Sequence, residues 1–277
     1  MSYGRRMPTF PFFQVDAFAD RPFAGNPAAI CLVEVPLPEQ QMQEIAAENN
    51  LSETAFIDLR AGTEAAVLPL RWFTPTVEVD LCGHATLAAG FVLLTEVAPQ
   101  RTSVQFQTRS GTLTVARGRD GELLMDLPIL RPQPVDAATK DRLAAAARLP
   151  LRDVVRGATA CFAEVESASV VRQASPDLEA IRQMGSSLCL MAPGSGEPGA
   201  IDFVSRFFAP AHGVPEDPVT GSAHCTLAPY WGARLGKTRL RARQVSRRVG
   251  DLTCEVLDDH VRLGGRCQLV ITGSFRC

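Results

Sequence analysis

The residues best placed to do chemistry in this chain come in two matched sets. Arg71-Trp72-Phe73-Thr74-Pro75 is followed, eight residues after its proline, by Gly83-His84-Ala85-Thr86-Leu87-Ala88. Arg206-Phe207-Phe208-Ala209-Pro210 is followed, eleven residues after its proline, by Gly221-Ser222-Ala223-His224-Cys225-Thr226-Leu227-Ala228. Between proline and glycine stand acids: Glu78 and Asp80 in the first copy, Glu216 and Asp217 in the second. A glycine that opens a helix puts unpartnered backbone N–H groups and the positive end of the helix dipole at one point, which is an anion site. Gly83-His84 and Gly221-Ser222 could each receive a carboxylate or a developing enolate oxygen. A tight turn would also explain either glycine alone, but two in matched contexts favour the site. His84 and Asp217, beside these turns, could shuttle protons or hold a substrate hydroxyl or amine. They could equally be hydrogen-bonded structural residues.

A third candidate stands apart from the repeat. Leu51-Ser52-Glu53-Thr54-Ala55-Phe56 places one acid between a helix and an apolar strand. A partly buried carboxylate there has the makings of a general acid/base. The alternative is a helix-terminal glutamate on the surface.

The elements that must position these groups are legible in the patterning. Strands are expected at Phe12–Phe18, Ala28–Val33, Thr54–Leu59 and Leu68–Phe73, with a helix over Pro38–Asn49. Ala85–Val97 is apolar on all sides, as in a helix wrapped by other elements. Strands resume at Ser103–Gln107, Gly111–Ala116 and Leu123–Leu127. Pro128, Pro132 and Pro134 mark a lobe boundary, giving lobes at 8–129 and 130–277. In the second lobe Ala137–Leu149 reads as a helix. Ser175-Pro176 reads as the cap and first turn of another, Asp177–Met184. Ile201–Phe208 is the counterpart of the Leu68 strand, and His224–Leu235 that of the buried helix, kinked at Pro229. Strand-rich halves that each enclose a helix make an α+β chain, with one site expected between the two lobes.

Bulk composition narrows the partners. The chain has 277 residues, 46% of them apolar and 21% charged, and a net charge of −2. That is a globular composition with no overall pull toward nucleic acid or an anionic membrane. No apolar run reaches membrane-spanning length, and Pro8 and Pro11 interrupt any signal-like segment after Arg5 and Arg6. A cytoplasmic location follows as the expectation. The eight cysteines form no Cys-x-x-Cys pair and sit in apolar runs, so neither a disulfide framework nor a metal site is expected. Arg239, Arg241 and Arg243 alternate with Leu240 and Ala242, which reads as a strand with one solvated basic face.

Five segments together resemble one known family. They are Gly25-Asn26-Pro27-Ala28-Ala29, Asn50 to Phe56, Cys82-Gly83-His84-Ala85-Thr86, Glu216 to His224, and Gln244-Val245-Ser246-Arg247-Arg248. They are similar to the signature segments of the phenazine biosynthesis PhzF-like family and span nearly the whole chain. The resemblance implies a diaminopimelate-epimerase type of fold: two pseudo-symmetric lobes, each a strand barrel around a central helix. It implies an isomerase that works without a cofactor, of the kind that moves a hydrogen on a dihydro-hydroxyanthranilate ring, and a homodimer. Matched residue by residue, Glu53 takes the place of the acid/base glutamate, and His84 and Asp217 those of the site histidine and aspartate. Gly83, Gly221 and Ser222 match the carboxylate-binding turns. The related epimerases use a thiol at each turn. Here Cys82 stands at the first and Thr220 at the second, so a one-base mechanism through Glu53 fits better. Val249 stands where the family often has glycine. The reading is a cofactor-independent isomerase acting on a small carboxylate-bearing substrate. An epimerase or racemase using Cys82 and a non-catalytic binder on a retained fold are the alternatives.

Overall fold

The computed structural model describes residues 9–158 and 160–276. The readings made on residues 1–8 and on Cys277 lie outside the described residues. The chain forms two compact units, and they are not consecutive stretches. The first comprises the described residues up to Ala17, then Pro27–Leu123, then the chain from Cys267 onward; the second comprises Phe18–Asn26 and Leu124–Arg266. A single boundary at 129/130 does not describe this arrangement, because the units exchange a short loop and the last strand.

In the first unit, β1 (Thr9–Ala17) pairs antiparallel with the final strand of the chain, from Thr9 opposite Arg276 to Ala17 opposite Cys267. β2 (Asn26–Val33) is followed by α1 (Glu39–Asn49) and by β3 (Glu53–Asp58), which lies parallel to β2. β4 (Val67–Phe73) turns back antiparallel to β3, and the two-residue β5 (Glu78–Val79) folds onto it. Then comes α2 (Gly83–Val92), then β6 (Ser103–Thr108), parallel to β4, and β7 (Gly111–Arg117).

Nine of the ten residues of α2 are buried, as its all-round apolar pattern requires. The helix packs against β1, β3, β7 and the last strand. Gly90 permits the approach to β7, since a Cβ there would stand 2.5 Å from Val115 Cγ1. The helix pattern expected to run on to Val97 changes at Leu93 into a single π turn, closed by Ala98 N–H donating to Leu93 O at 2.8 Å.

The second unit repeats this order with additions. β8 (Leu123–Pro128) and β9 (Gln133–Pro134) lead to α3 (Ala137–Ala147), β10 (Asp153–Arg156) and β11 (Ala160–Glu164). α4 (Ala168–Gln173) and α5 (Leu178–Gln183) cross over to β12 (Ser187–Pro193), parallel to β11. β13 (Phe203–Ala209) is antiparallel to β12, and β14 (Val214–Asp217) folds onto it. α6 (Gly221–Leu235) crosses to β15 (Arg239–Gln244), parallel to β13, and β16 (Gly250–Val256), β17 (His260–Gly265) and β18 (Cys267–Arg276) complete the chain. Parallel pair, antiparallel return, short acidic strand, buried helix, parallel strand: this succession occurs once in each unit.

Local details correct two expectations. The cap of α5 is Asp177, whose Oδ1 accepts from Ala180 N at 3.0 Å; Ser175 and Pro176 precede it. α6 begins at Gly221, a turn earlier than the apolar run at His224 suggested. Pro229 is accommodated inside it because the carbonyl it leaves without a helical donor, Cys225 O, accepts from Leu130 N at 3.0 Å. The basic strand is as expected at four positions, with Leu240 and Ala242 buried and Arg239 and Arg241 exposed; Arg243 departs from it, half-buried and paired with Asp251 and Glu197.

Candidate active site

The repeated arginine and acid form the same device in both units. Arg71 Nε and Nη2 donate to Glu78 Oε1 and Oε2, both at 2.7 Å. Arg206 Nε and Nη2 donate to Glu216 Oε1 and Oε2 at 2.7 and 2.9 Å. Each guanidinium also lies over the phenylalanine two residues on, at 5.1 Å from the Phe73 ring and 4.9 Å from the Phe208 ring. These forked pairs tie the return strand to the short acidic strand that precedes each buried helix. They account for the Arg-aromatic-Phe pattern as framework.

In the first unit, Glu53 opens β3. α1 ends where Asn50 takes a left-handed φ of 50° and donates its N–H to Ala46 O. Asn49 Nδ2 then donates to Thr54 Oγ1 at 3.1 Å, fixing the start of the strand next to Glu53. Cys82 is the N-cap of α2, and Gly83 and His84 are its first two residues. Thr86 Oγ1 donates back to Cys82 O at 2.6 Å and braces this turn. The result is a chain of three ionisable side chains. His84 Nε2 lies 3.1 Å from Glu53 Oε2, and His84 Nδ1 lies 3.6 Å from Cys82 Sγ. Cys82 and His84 are almost sealed, and the Glu53 side chain keeps 18% of its exposure.

The electrostatics follow from that packing. Burial, with the Glu53 charge next, pushes the Cys82 thiol up, so it is a neutral thiol at neutral pH. For His84, burial works against the cation, but Cys82 and the Glu53 carboxylate, both of which favour a proton on the ring, outweigh it and hold the imidazole well above its ordinary value; with the thiol neutral, the charge beside the ring is that of Glu53. Glu53, Cys82 and His84 are also the one trio of metal-ligand type among the described residues. One ligand atom from each lies within 4.8 Å of the other two.

In the second unit the equivalent turn is locked. Asp217 ends β14, and its Oδ1 accepts from Asn26 Nδ2 at 2.8 Å while its Oδ2 accepts from the Thr220 hydroxyl at 2.5 Å. Asn26 Nδ2 also reaches Val219 O at 2.9 Å. Gln244, fully buried, accepts from Thr220 N at 2.9 Å and donates to Asp217 O at 2.7 Å. Ser246 Oγ donates to Pro218 O at 2.8 Å. Arg248 holds the loop before Asn26 through Gly25 O and Ala24 O. Gly221 and Ser222 are the first two residues of α6, and Thr220 is its N-cap. His224, one turn in, is wholly buried. Its Nδ1 pairs with Thr220 O at 2.8 Å, and burial lowers its pKa to about 4, so the ring is neutral. Val249, in the family's glycine position, takes φ 57°, a left-handed conformation rare for a β-branched residue.

The candidate residues thus fall into two sets. Glu53, Gly83 and His84 come together in the first unit; Asp217, Gly221 and Ser222 in the second. Sequence reasoning did not assign a task to Asn26, Thr220 or Gln244, which hold Asp217 in place. All three lie in the segments that carry the family resemblance, and nothing in their spacing shows whom they contact. Asp80, the formal counterpart of Asp217, is exposed and pairs only distantly with Arg109, at 3.6 Å.

Comparison with known proteins bears on the fold and the family. The family model described as phenazine biosynthesis-like protein matches residues 15–273. A protein of Pseudomonas aeruginosa named an uncharacterized isomerase is 45% identical over 95% of this chain and 97% of its own length. The human phenazine biosynthesis-like domain-containing protein is 39% identical over 96% of this chain and 98% of its own. A crystal structure of a PhzF-family phenazine biosynthesis protein from Enterococcus faecalis superposes with a TM-score of 0.90 at 39% identity, covering 98% of this chain and all of that one. The α+β fold is therefore the diaminopimelate-epimerase-like one expected. Relatives named isomerases, 37–45% identical, agree with the expected enzyme class. With the matched model running across both units, the chain belongs to the phenazine biosynthesis-like (PhzF) family.

Proposed function

We propose that this chain is a cofactor-independent isomerase in which Glu53 takes a proton from one carbon of a small carboxylate-bearing substrate and returns it to another. The observation that carries this reading is the Glu53–His84 contact at 3.1 Å, with Glu53 the most open member of a nearly sealed trio. A substrate carbon can approach the carboxylate and cannot as readily approach the thiol behind it. His84, kept cationic by its neighbours, is a second proton source beside Glu53 and lets the proton return at a different position. The N-termini of α2 and α6, at Gly83 and at Gly221-Ser222, offer N–H groups to the substrate carboxylate and to the charge that develops as the proton leaves. Asp217, whose carboxylate is held by Asn26 and Thr220, has the role of orienting a polar group of the substrate in this reading. A homodimer acting in the cytoplasm completes the reading; a monomer mass by light scattering at micromolar concentration would count against the first part.

A second reading has one observation in its favour. Cys82 Sγ stands 3.6 Å from His84 Nδ1, a spacing at which one of the protons of the imidazolium could be the thiol's own, leaving a thiolate as an epimerase base. Its counterpart, Thr220, commits its hydroxyl to Asp217 and offers no second base.

The test is deuterium uptake from heavy water into a dihydro-hydroxyanthranilate, followed by NMR, with Glu53→Gln as the variant. The amide keeps the size of the carboxylate but cannot accept a proton. Exchange should fall by on the order of 10²–10⁴-fold while the circular dichroism stays unchanged. Exchange by the variant close to that of the parent chain removes Glu53 from the mechanism. A lack of exchange in the parent chain, together with saturable binding, would favour the non-catalytic binder.

A further inference from the structure

Proton transfer does not use everything that Glu53, Cys82 and His84 can do together. Thiolate, imidazole and carboxylate are the donors preferred by zinc and cations like it, and three protein donors with an open fourth position describe an exchangeable ion site. Two donors on one tetrahedral zinc, with Zn–S about 2.3 Å and Zn–N about 2.0 Å, stand roughly 3.6 Å from each other. Cys82 Sγ and His84 Nδ1 are 3.6 Å apart. One ligand atom from each of the three residues already lies within 4.8 Å of the others, so a closure of roughly 1 Å would seat all three on one ion. The carboxylate is the group that has to move, since it now faces the other ring nitrogen of His84 at 3.1 Å. It is also the most exposed of the three, which leaves it free to turn and leaves a path for the ion and its water. Among the described residues no second trio of this kind comes together. The local spacing of cysteines and histidines gives no hint of the site, because its third donor comes from the start of β3.

We propose that a zinc-like divalent cation binds reversibly to Cys82, His84 and Glu53 and, by occupying Glu53, shuts off proton transfer. Binding is an exchange of protons for metal. The thiol proton and the imidazolium proton leave to solvent, and the ion gains a thiolate, a neutral imidazole and a carboxylate. No electron moves. The cation is an inhibitor in this scheme and takes no part in turnover. Because two protons compete with it, its affinity rises with pH. The inhibition rests on the isomerase reading; the binding does not.

Cobalt(II) chloride is the probe, added to the full metal-free chain at about pH 8, where the exchange of protons favours the ion. A cobalt–thiolate bond announces itself by a near-ultraviolet charge-transfer band, and tetrahedral coordination by intense visible bands. Both should saturate at one ion per chain and disappear when zinc chloride is added. Cys82→Ala should abolish the charge-transfer band, and Cys82→Ser, nearly the same size as the parent residue, should do the same if packing disturbs the first variant. Glu53→Gln should keep the band and weaken binding by about tenfold or more, since one of three donors is lost. No band in the parent chain overturns the proposal. So does a band that survives Cys82→Ala, which would place the ion on another thiol. Zinc chloride should then inhibit deuterium uptake over the concentration range in which it displaces cobalt. A band without any uptake in the metal-free chain would sink the isomerase reading and leave the ion site standing; uptake that zinc saturation leaves unchanged would sink the inhibitory role.

Discussion

The two glycine turns share a frame and differ in what they hold. Each follows a forked arginine–glutamate pair and an arginine-capped phenylalanine, and each opens a buried helix. At the first turn, His84 lies between Glu53 and Cys82, and these contacts change character with every proton gained or lost. At the second, Asp217 is gripped by Asn26 and Thr220, and Gln244 ties down its backbone. The histidines show the same contrast: His84 is held cationic by nearby negative charge, whereas His224 is held neutral by burial. The frame is matched in the two units while the side chains at its turns differ; on the function proposed above, proton traffic belongs to the first turn and fixed polarity to the second. Even the thiol of the first turn is answered at the second by a hydroxyl that serves as a hydrogen-bond donor.

That contrast can be broken by experiment. The largest stability effect is expected at Gln244→Ala, which would leave Thr220 N and Asp217 O buried without their partner. The cost should be about 4 kcal/mol in denaturant unfolding. A loss under about 1 kcal/mol would mean that the second turn is not locked by this residue.

Acid should separate the histidines next. His224 has its pKa lowered from 6.5 to about 4, so the unfolded chain binds the proton more readily in that window. Stability should therefore fall by about 3 kcal/mol as pH drops from about 6.5 to about 4. His84 acts oppositely: its raised pKa contributes stability at low pH that is lost as pH rises through the folded value. His224→Phe should flatten the acid limb of the stability curve, and an unchanged slope would contradict the neutral buried ring.

The shared frame makes a smaller, comparative prediction. Glu78→Gln should cost about 2 kcal/mol and Glu216→Gln about 1. The reason is that Glu78 is nearly sealed and holds Arg109 as well as Arg71, whereas Glu216 is more open and Arg206 keeps three carbonyl partners, at Val171, Arg172 and Ala174, when its acid is gone. The reverse order would contradict this ranking of the two pairs.

The smallest effect is expected at Val249→Gly. A glycine relieves the left-handed backbone at φ 57° and should raise stability by about 0.5 kcal/mol, measured as a shift in midpoint.

Much of the frame was legible in the chain because it is written in residue types that are rare and costly to misplace. Arginine, paired aromatics and proline in fixed order marked both return strands, and an apolar run with no polar face marked α2. The candidate turns were legible for the same reason, since glycine at a helix start in two matched settings is hard to read as accident. What could not be read were contacts between elements distant along the chain. Nothing local says that Glu53 meets His84, since one lies at a strand start and the other at a helix start. Asn26 and Gln244 are single amides whose partners are chosen by the fold. The exchange of the last strand into the first unit likewise depends on β1 finding β18 across the whole chain, a pairing for which composition carries no signal.

The most direct test of the account sets Glu53→Gln against Cys82→Ala in one deuterium-uptake assay, with the same substrate and buffer. The account predicts that the glutamine variant loses on the order of 10²–10⁴-fold, while the alanine variant stays within about tenfold of the parent chain. If Cys82→Ala proves the more damaging change, the thiol is the base, and the one-glutamate mechanism is wrong.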